Sequence, residues 1–418
     1  MNKAPSCAPY HPHWTDRSKS GRIKALAARL HRIGRNHGII QRLKDAQGFQ
    51  REAEALLVNV AYYGQLNIQV LVSRSKRTGS RHVIRVLDTL AADGLIRQEI
   101  APARAEGGVT TSIMATERLL AMVGSLSPAE INTTPIELVV LRDKDKNQLP
   151  VPARAAQRLS PAIRRLNKVI AQHVYTLDGI EYPAPQYCRI FSETLEQGGR
   201  WYCHAQGLTK AERQRILIDG KPTVELDFAS LHPRLIYANA GIQYDADPYT
   251  LPGIPRDVAK VMFLSLLYDE SVARARSNLK GRQIPARVAA YERHVAEYQA
   301  WAELPPADRP APPRRPQCLH DGFEPLDASI DVDAAIDAFL CAHGPIAEAF
   351  DAKGQALAIQ YADARIAEIV FAEHAKLGRP VIGIHDSFIV AAEHADDLRR
   401  IMADAYAQVT DGYSCPIK

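Results

Sequence analysis

The chain has 418 residues, 46% of them hydrophobic and 24% charged, with a net charge of +5 and a mean hydropathy of −0.22. That is about three times a ~150-residue domain, so two or three cores are expected, and fibrous, collagen-like and wholly disordered chains are excluded. No apolar run approaches the ~18 residues of a membrane span, and the N-terminus lacks the apolar core of a secretory signal. The six cysteines (Cys7, Cys188, Cys203, Cys318, Cys341 and Cys415) form no CxxC pair, so a reduced cytoplasmic setting without disulfides or a zinc module is expected.

Residues 1–50 hold ten Lys/Arg against two acids, Asp16 and Asp45. This stretch carries +8 and leaves −3 for residues 51–418. A basic arm on a near-neutral body suits a polyanion, most commonly nucleic acid; a solvated helix face accounts for the same charge. Residues 51–130 follow a rhythm. The run 53–58 reads as a helix and 68–72 as a strand; a polar, basic stretch at 73–80 follows. A periodic run with Val83, Val86, Leu87 and Leu90 is then stopped by Asp93-Gly94. Two β-like runs, 95–100 and 109–114, flank Glu106-Gly107-Gly108. This order resembles a winged helix-turn-helix, with Arg81, His82 and Arg85 turned from the buried stripe toward DNA. A winged helix used only for packing is the alternative.

Residues 131–184 read as a connecting, thumb-like region: a strand at 136–141, a charged turn at 143–147 and a helix near 153–174. Near 281–320 an amphipathic helix over 288–301 gives way to prolines. Their density forbids helix interior and central strand, so an exposed insertion is expected there.

The chemistry concentrates in three places. Val224, Leu226 and Phe228 alternate with Glu225 and Asp227, which predicts a strand with one apolar face and two carboxylates on the other. At 380–390 an apolar strand delivers His385 and Asp386 to a tight turn, and a second apolar strand returns. A charged Asp between hydrophobic strands is costly unless paired or bound to metal. Two such carboxylates can hold two magnesium ions about 4 Å apart for an in-line phosphoryl transfer. Between them Arg256, Lys260, Leu264 and Tyr268 recur every four residues along one helix stripe. Two cations one turn apart can grip a triphosphate, and the positions beyond can support a base pair. Each feature alone has a plainer reading: a turn acid, a solvated helix edge, a core tyrosine.

The order of acid strand, RxxxKxxxLxxxY helix and HD hairpin resembles motifs A, B and C of family A nucleic-acid polymerases, over roughly residues 185–418. Gln360, in Gln360-Tyr361-Ala362-Asp363-Ala364, resembles the glutamine of the helix beside the primer-template minor groove. The text around Cys188-Arg189-Ile190-Phe191 and Gly198-Gly199-Arg200-Trp201-Tyr202 is similar to a compact polymerase-like group of bacterial mobile elements. The resemblance implies an α+β right hand, with an antiparallel palm sheet and helical fingers, behind the winged helix. It implies Asp227, Asp386 and the Phe228 carbonyl as ligands of two Mg²⁺ (or Mn²⁺) ions. Arg256 and Lys260 would bind the triphosphate, with Lys260 protonating pyrophosphate. Leu264 and Tyr268 would lie by the base pair, and Gln360, His385 and Arg200 by the primer-template.

The sequence departs from the family pattern at four places. Asp269 follows Tyr268 in place of glycine, and Leu264 replaces an aromatic or Met. Ser387 follows Asp386, as in the RNA-synthesising branch. His232 stands at the sugar-discriminating position, where the following Pro233 predicts extended geometry; a turn-capping role for His232 is the plainer reading.

The expected function is DNA-directed DNA polymerisation without a proofreading exonuclease, with DNA and nucleoside triphosphates as partners and no membrane. A primase-like RNA synthesis, a template-independent nucleotidyl transfer and a non-catalytic DNA-binding regulator are the alternatives.

Overall fold

The structure is a computed structural model that describes residues 7–9, 11, 14–73, 82–99, 110–135, 137–269, 271–304, 313, 316, 318–319 and 323–418. Its hydrophobic side chains gather into two cores. One runs from Trp14 to Ile131 and the other from Val139 to Cys415.

In the first body, the strands Cys7–Pro9, Gln69–Ser73, Thr110–Ala115 and Ile96–Glu99 lie side by side in that order. The first pair is parallel and the others are antiparallel. Helices Arg22–Asn36, Ala46–Gln65 and Val83–Ala92 belong to the same body. The Arg22–Asn36 helix buries Ile23, Leu26, Ala27 and Leu30, an i, i+3, i+4, i+7 stripe. Its cations Arg22, Lys24, Arg29, Arg32 and Arg35 stay exposed. This part of the basic segment is therefore built into the core by its apolar stripe, not hung from it as an arm. His82 departs from its expected outward position. It stands at the N-cap position of the Val83–Ala92 helix without a capping side-chain bond, its ring 3.3 Å from Asp45 and edge-on to Phe49. Arg85 is exposed on that helix. Arg81, the rest of the basic stretch through Ser80, and Glu106-Gly107-Gly108 lie outside the described residues.

The second body is a mixed α+β fold. Its main sheet is antiparallel throughout, in the order Ile180–Tyr182, Tyr175–Leu177, Ile216–Ile218, Lys221–Asp227, Ser387–Ala391, Ile382–Ile384. A second sheet runs Thr194–Tyr202, Cys188–Ser192, Val139–Arg142, Gln148–Leu149. The Gln355–Lys376 helix lies against it, and Trp201 donates its indole N–H to the Ala364 carbonyl at 3.1 Å. The helix expected near 153–174 ends at Ile170. There Asp219 captures the Val174 N–H at 2.9 Å and the His173 ring at 2.6 Å, drawing the chain into the next strand. The Pro285–Glu303 helix precedes the proline stretch, most of which lies outside the described residues.

Candidate active site

The Lys221–Asp227 strand pairs with Ser387–Ala391 so that Leu226 faces Phe388 and Asp227 faces Ser387. Asp386, one residue before Ser387, therefore stands at the same end of the strand pair as Asp227. The Phe228 N–H donates to the Asp386 carbonyl at 3.4 Å and fastens the two segments. Two non-glycine residues with left-handed backbone flank the acids: Ser230 (φ 55°), three residues after Asp227, and His385 (φ 58°), directly before Asp386. Such conformations cost free energy and persist where the surroundings impose them. On its other edge Asp227 exchanges backbone hydrogen bonds with Lys418 at 3.2 and 2.9 Å, and Ala229 N–H reaches Pro416 at 2.8 Å.

Asp227 faces the open mouth, yet the protein behind it and then the charge of Asp386 push its carboxyl up to about 6. Burial and the charge of Asp363 also raise Asp386. Glu225 behaves oppositely. Burial alone would raise it, but Arg213 binds it through two nitrogens at 2.8 and 3.1 Å, and Ser387 Oγ donates to it at 2.7 Å, which leaves it below the usual carboxylate range. Glu225 is thus a neutralised neighbour, and Asp227 with Asp386 keeps the unbalanced charge.

Across the mouth, the Arg256–Tyr268 helix buries Val258, Ala259, Met262, Phe263, Leu266 and Leu267. Arg256, Lys260, Leu264 and Tyr268 are all exposed, as their four-residue spacing predicts. Leu264 is 38% and Tyr268 42% exposed, which leaves two large apolar groups free to take a flat partner. Arg256 is held extended by Asp247 at 2.5 Å and lies 5.3 Å over the Tyr249 ring. The charges of Lys210 and Lys260 both act to lower the Asp227 carboxyl. Gln360 donates to the Tyr268 hydroxyl at 3.3 Å, joining this helix to Gln355–Lys376.

His232 is not extended. It lies in the Leu231–Asn239 helix, because Pro233 occupies the first turn, where the missing N–H is an orphan in any case. Its Nε2 is 3.0 Å from Arg200 Nη2 and 3.6 Å from Asp363 Oδ2. A guanidinium only donates, so the shorter contact requires an unprotonated Nε2; a protonated one would turn to the carboxylate. Arg200 also binds Asp363 at 2.9 Å. Burial would raise Asp363, but His232 and Arg200 hold it below the usual carboxylate range. His385 is exposed at the hairpin turn; partial burial and then the Arg200 charge lower its affinity for a proton.

The structure thus gathers Asp227, Asp386, Phe228, Lys260, Arg200, His232 and His385 around one mouth, with Arg256, Leu264, Tyr268 and Gln360 along its helical side. Arg85 belongs to the other body. Sequence reasoning missed Asp363, Arg213 and Asp247. Asp363 stands three residues after Gln360, one helical turn on, and a buried acid at that spacing was the available signal. Among the described residues no group of three or more His, Cys, Asp or Glu side chains is placed to hold a metal ion. No described helix is long and apolar enough to cross a membrane.

No family model and no curated protein matches the chain. Among solved structures it is similar to the POL domain of Pol1 from M. smegmatis, in complex with DNA primer-template and dNTP. The identity is 10% and the TM-score 0.26, over 63% of this chain and 50% of that one. The chain thus spans half the length of that structure, and the functional reading rests on the site's own chemistry.

Proposed function

We propose that the chain is a nucleotidyltransferase that adds deoxynucleotides to a nucleic-acid 3′-hydroxyl under template direction, without proofreading. The observation that carries this reading is the placement of Asp227 and Asp386 at one end of register-paired strands, within reach of the Lys260 charge.

The donor set suits a hard divalent ion. It consists of oxygens only, at an open mouth, and both carboxyls are destabilised as anions by burial and by neighbouring negative charge. Asp227, Asp386 and the Phe228 carbonyl would hold two Mg²⁺ (or Mn²⁺) ions, which supply charge neutralisation at the attacking and leaving oxygens. The protein's own groups do the rest. Arg256, preset by Asp247 and Tyr249, presents its remaining donors to the polyphosphate. As the 3′-hydroxyl oxygen bonds to the α-phosphorus it gives up its proton to water at the open mouth, and the bond to the bridging oxygen breaks. Lys260 Nζ gives a proton to departing pyrophosphate and regains one from solvent. Leu264 and Tyr268 carry the base pair, with Tyr268 steadied by Gln360. His385 and Arg200 border the primer end. His232 stands beneath the sugar and excludes a 2′-hydroxyl by bulk.

In the first body, the strand order Gln69–Ser73, Thr110–Ala115, Ile96–Glu99 beside the Val83–Ala92 helix supports a winged helix-turn-helix that presents Arg85 to duplex DNA.

One observation favours ribonucleotides instead. With Nε2 taken by Arg200, His232 keeps an Nδ1–H that a 2′-hydroxyl can accept. A single assay tests both readings: purified protein, Mg²⁺ or Mn²⁺, labelled dNTPs against rNTPs, with and without primer and template, beside Asp386→Asn. Template-dependent dNTP incorporation lost in the variant is expected. No incorporation under any condition would overturn the reading.

A further inference from the structure

The Ala153–Ile170 helix has two unlike faces. Inward it buries Ile163, Leu166 and Ile170. On that side Asn167 grips Tyr187, accepting from its N–H at 2.7 Å and donating to its carbonyl at 2.9 Å. The Tyr187 hydroxyl donates to the Gly383 carbonyl at 3.1 Å and accepts from the Gly383 N–H at 2.7 Å, two residues before His385. The helix is therefore tied through two residues to the hairpin that carries Asp386.

Outward it exposes Arg154, Arg158, Arg164, Arg165 and Lys168, and no Asp or Glu occurs between Lys146 and Leu177. At 3.6 residues per turn, Arg154, Arg158, Arg165 and Lys168 fall within a stripe about 80° wide, opposite the apolar one. From Arg154 to Lys168 that stripe is about 21 Å long. None of the five cations has an ion pair among the described residues. Some cations elsewhere on this body do sit on acids: Arg215 on Asp178, Arg276 on Asp333 and Asp337, Arg379 on Asp397. Like charges at i, i+4 with no acid between them weaken a helix, a cost that an anion lying along the stripe removes.

We propose that this face binds the phosphate backbone of double-stranded nucleic acid. A duplex carries one charge per ~1.7 Å of axis, so a straight edge of about 21 Å meets phosphates enough for every cation. Four of the five are arginines, whose forked donors fit phosphate oxygens. None of the five cations is bonded to Asp227 or Asp386 among the described residues, and the face acts in binding alone, so it does not depend on the proposed chemistry.

The test is fluorescence anisotropy of the full chain on a labelled duplex and on the matching single strand, over a salt series without nucleotide or metal. Arg154→Gln/Arg158→Gln/Arg165→Gln is compared with Arg276→Gln/Lys280→Gln/Arg379→Gln, which removes equal charge from paired positions. For the first triple the slope of log affinity against log salt on duplex should become shallower by about 2 to 3, at ~0.9 per lost phosphate contact. Duplex affinity should fall at least tenfold whatever the base sequence, and the corresponding triple Lys variant should retain the slope. The second triple should leave it unchanged. Equal losses in the two triples, no loss in either, or a loss on single strands alone would overturn the assignment. Because no nucleotide is present, an inactive polymerase site would leave this outcome intact.

Discussion

Asp227 sits directly across the ladder from Ser387, which places Asp386 at the same end of the same strand pair. Neither acid can be lost without removing half of the carboxylate charge at the mouth. Asp227→Ala or Asp386→Ala should lower nucleotide incorporation by roughly a thousandfold or more, several kcal/mol in the transition state. Affinity for primer-template should stay within a few-fold. Single-turnover extension with a parallel binding titration checks both; activity within tenfold of wild type would remove the two acids from the chemistry.

The raised carboxyl of Asp227, at about 6, gives the site a pH signature. A divalent cation must displace a proton there, so the acidic limb of the rate profile should lie near pH 6 at low Mg²⁺. It should move to lower pH as Mg²⁺ is raised. The stability effect has its own sign. The fold binds this proton more tightly than the unfolded chain does, so the contribution is fully present below about pH 3.8 and lost as pH rises through about 6. Asp227→Asn should therefore melt on the order of a degree above wild type at pH 8, with the gap closing below pH 4. Rate profiles at two Mg²⁺ levels and metal-free melts at both pH values supply the check.

Arg256 and Lys260 differ in how they are held. Arg256 is preset by Asp247 and Tyr249, so Arg256→Ala should raise the apparent KM for nucleotide about tenfold or more, and Asp247→Ala should raise it in the same direction by less. Lys260→Ala should act mainly on kcat. Steady-state kinetics at fixed primer-template resolves the split; a change confined to DNA affinity would move both cations to the template channel.

His232 is set by Arg200 and Asp363. His232→Ala should raise the use of rNTP relative to dNTP by at least about tenfold, ~1.4 kcal/mol. Competition between the two nucleotides on one template measures the ratio. A fall in rNTP use would favour the hydroxyl-binding role instead.

The exposed cations of the first body should add a salt-sensitive term of their own. In the full chain, Arg29→Gln/Arg32→Gln/Arg85→Gln should weaken duplex binding severalfold at low salt and less at high salt. An unchanged titration at both salt levels would make this body a packing module.

Much of the site was legible because periodicity reports local geometry. Alternation at residues 224–228 and four-residue spacing at 256–268 each select one face, and both faces appear as expected. What was illegible depends on tertiary partners. Asp363 is one acid in an alanine-rich helix until folding brings Arg200 and His232 to it. Pro233 suggested extended geometry for His232, whereas its position in a first helical turn depends on the sharp left-handed step at Ser230. The basic N-terminal run carried an apolar stripe from Ile23 to Leu30, and the charge count concealed it.

The hydrogen bonds between Asp227 and Lys418 bear on how the protein is handled. Anything joined to Lys418 begins beside the carboxylate pair, and a tail that pulls Pro416 and Lys418 away uncovers the Asp227 end of the acid-bearing strand's edge. An affinity tag belongs at the other end of the chain. A silent assay on a protein tagged after Lys418 would report on the tag.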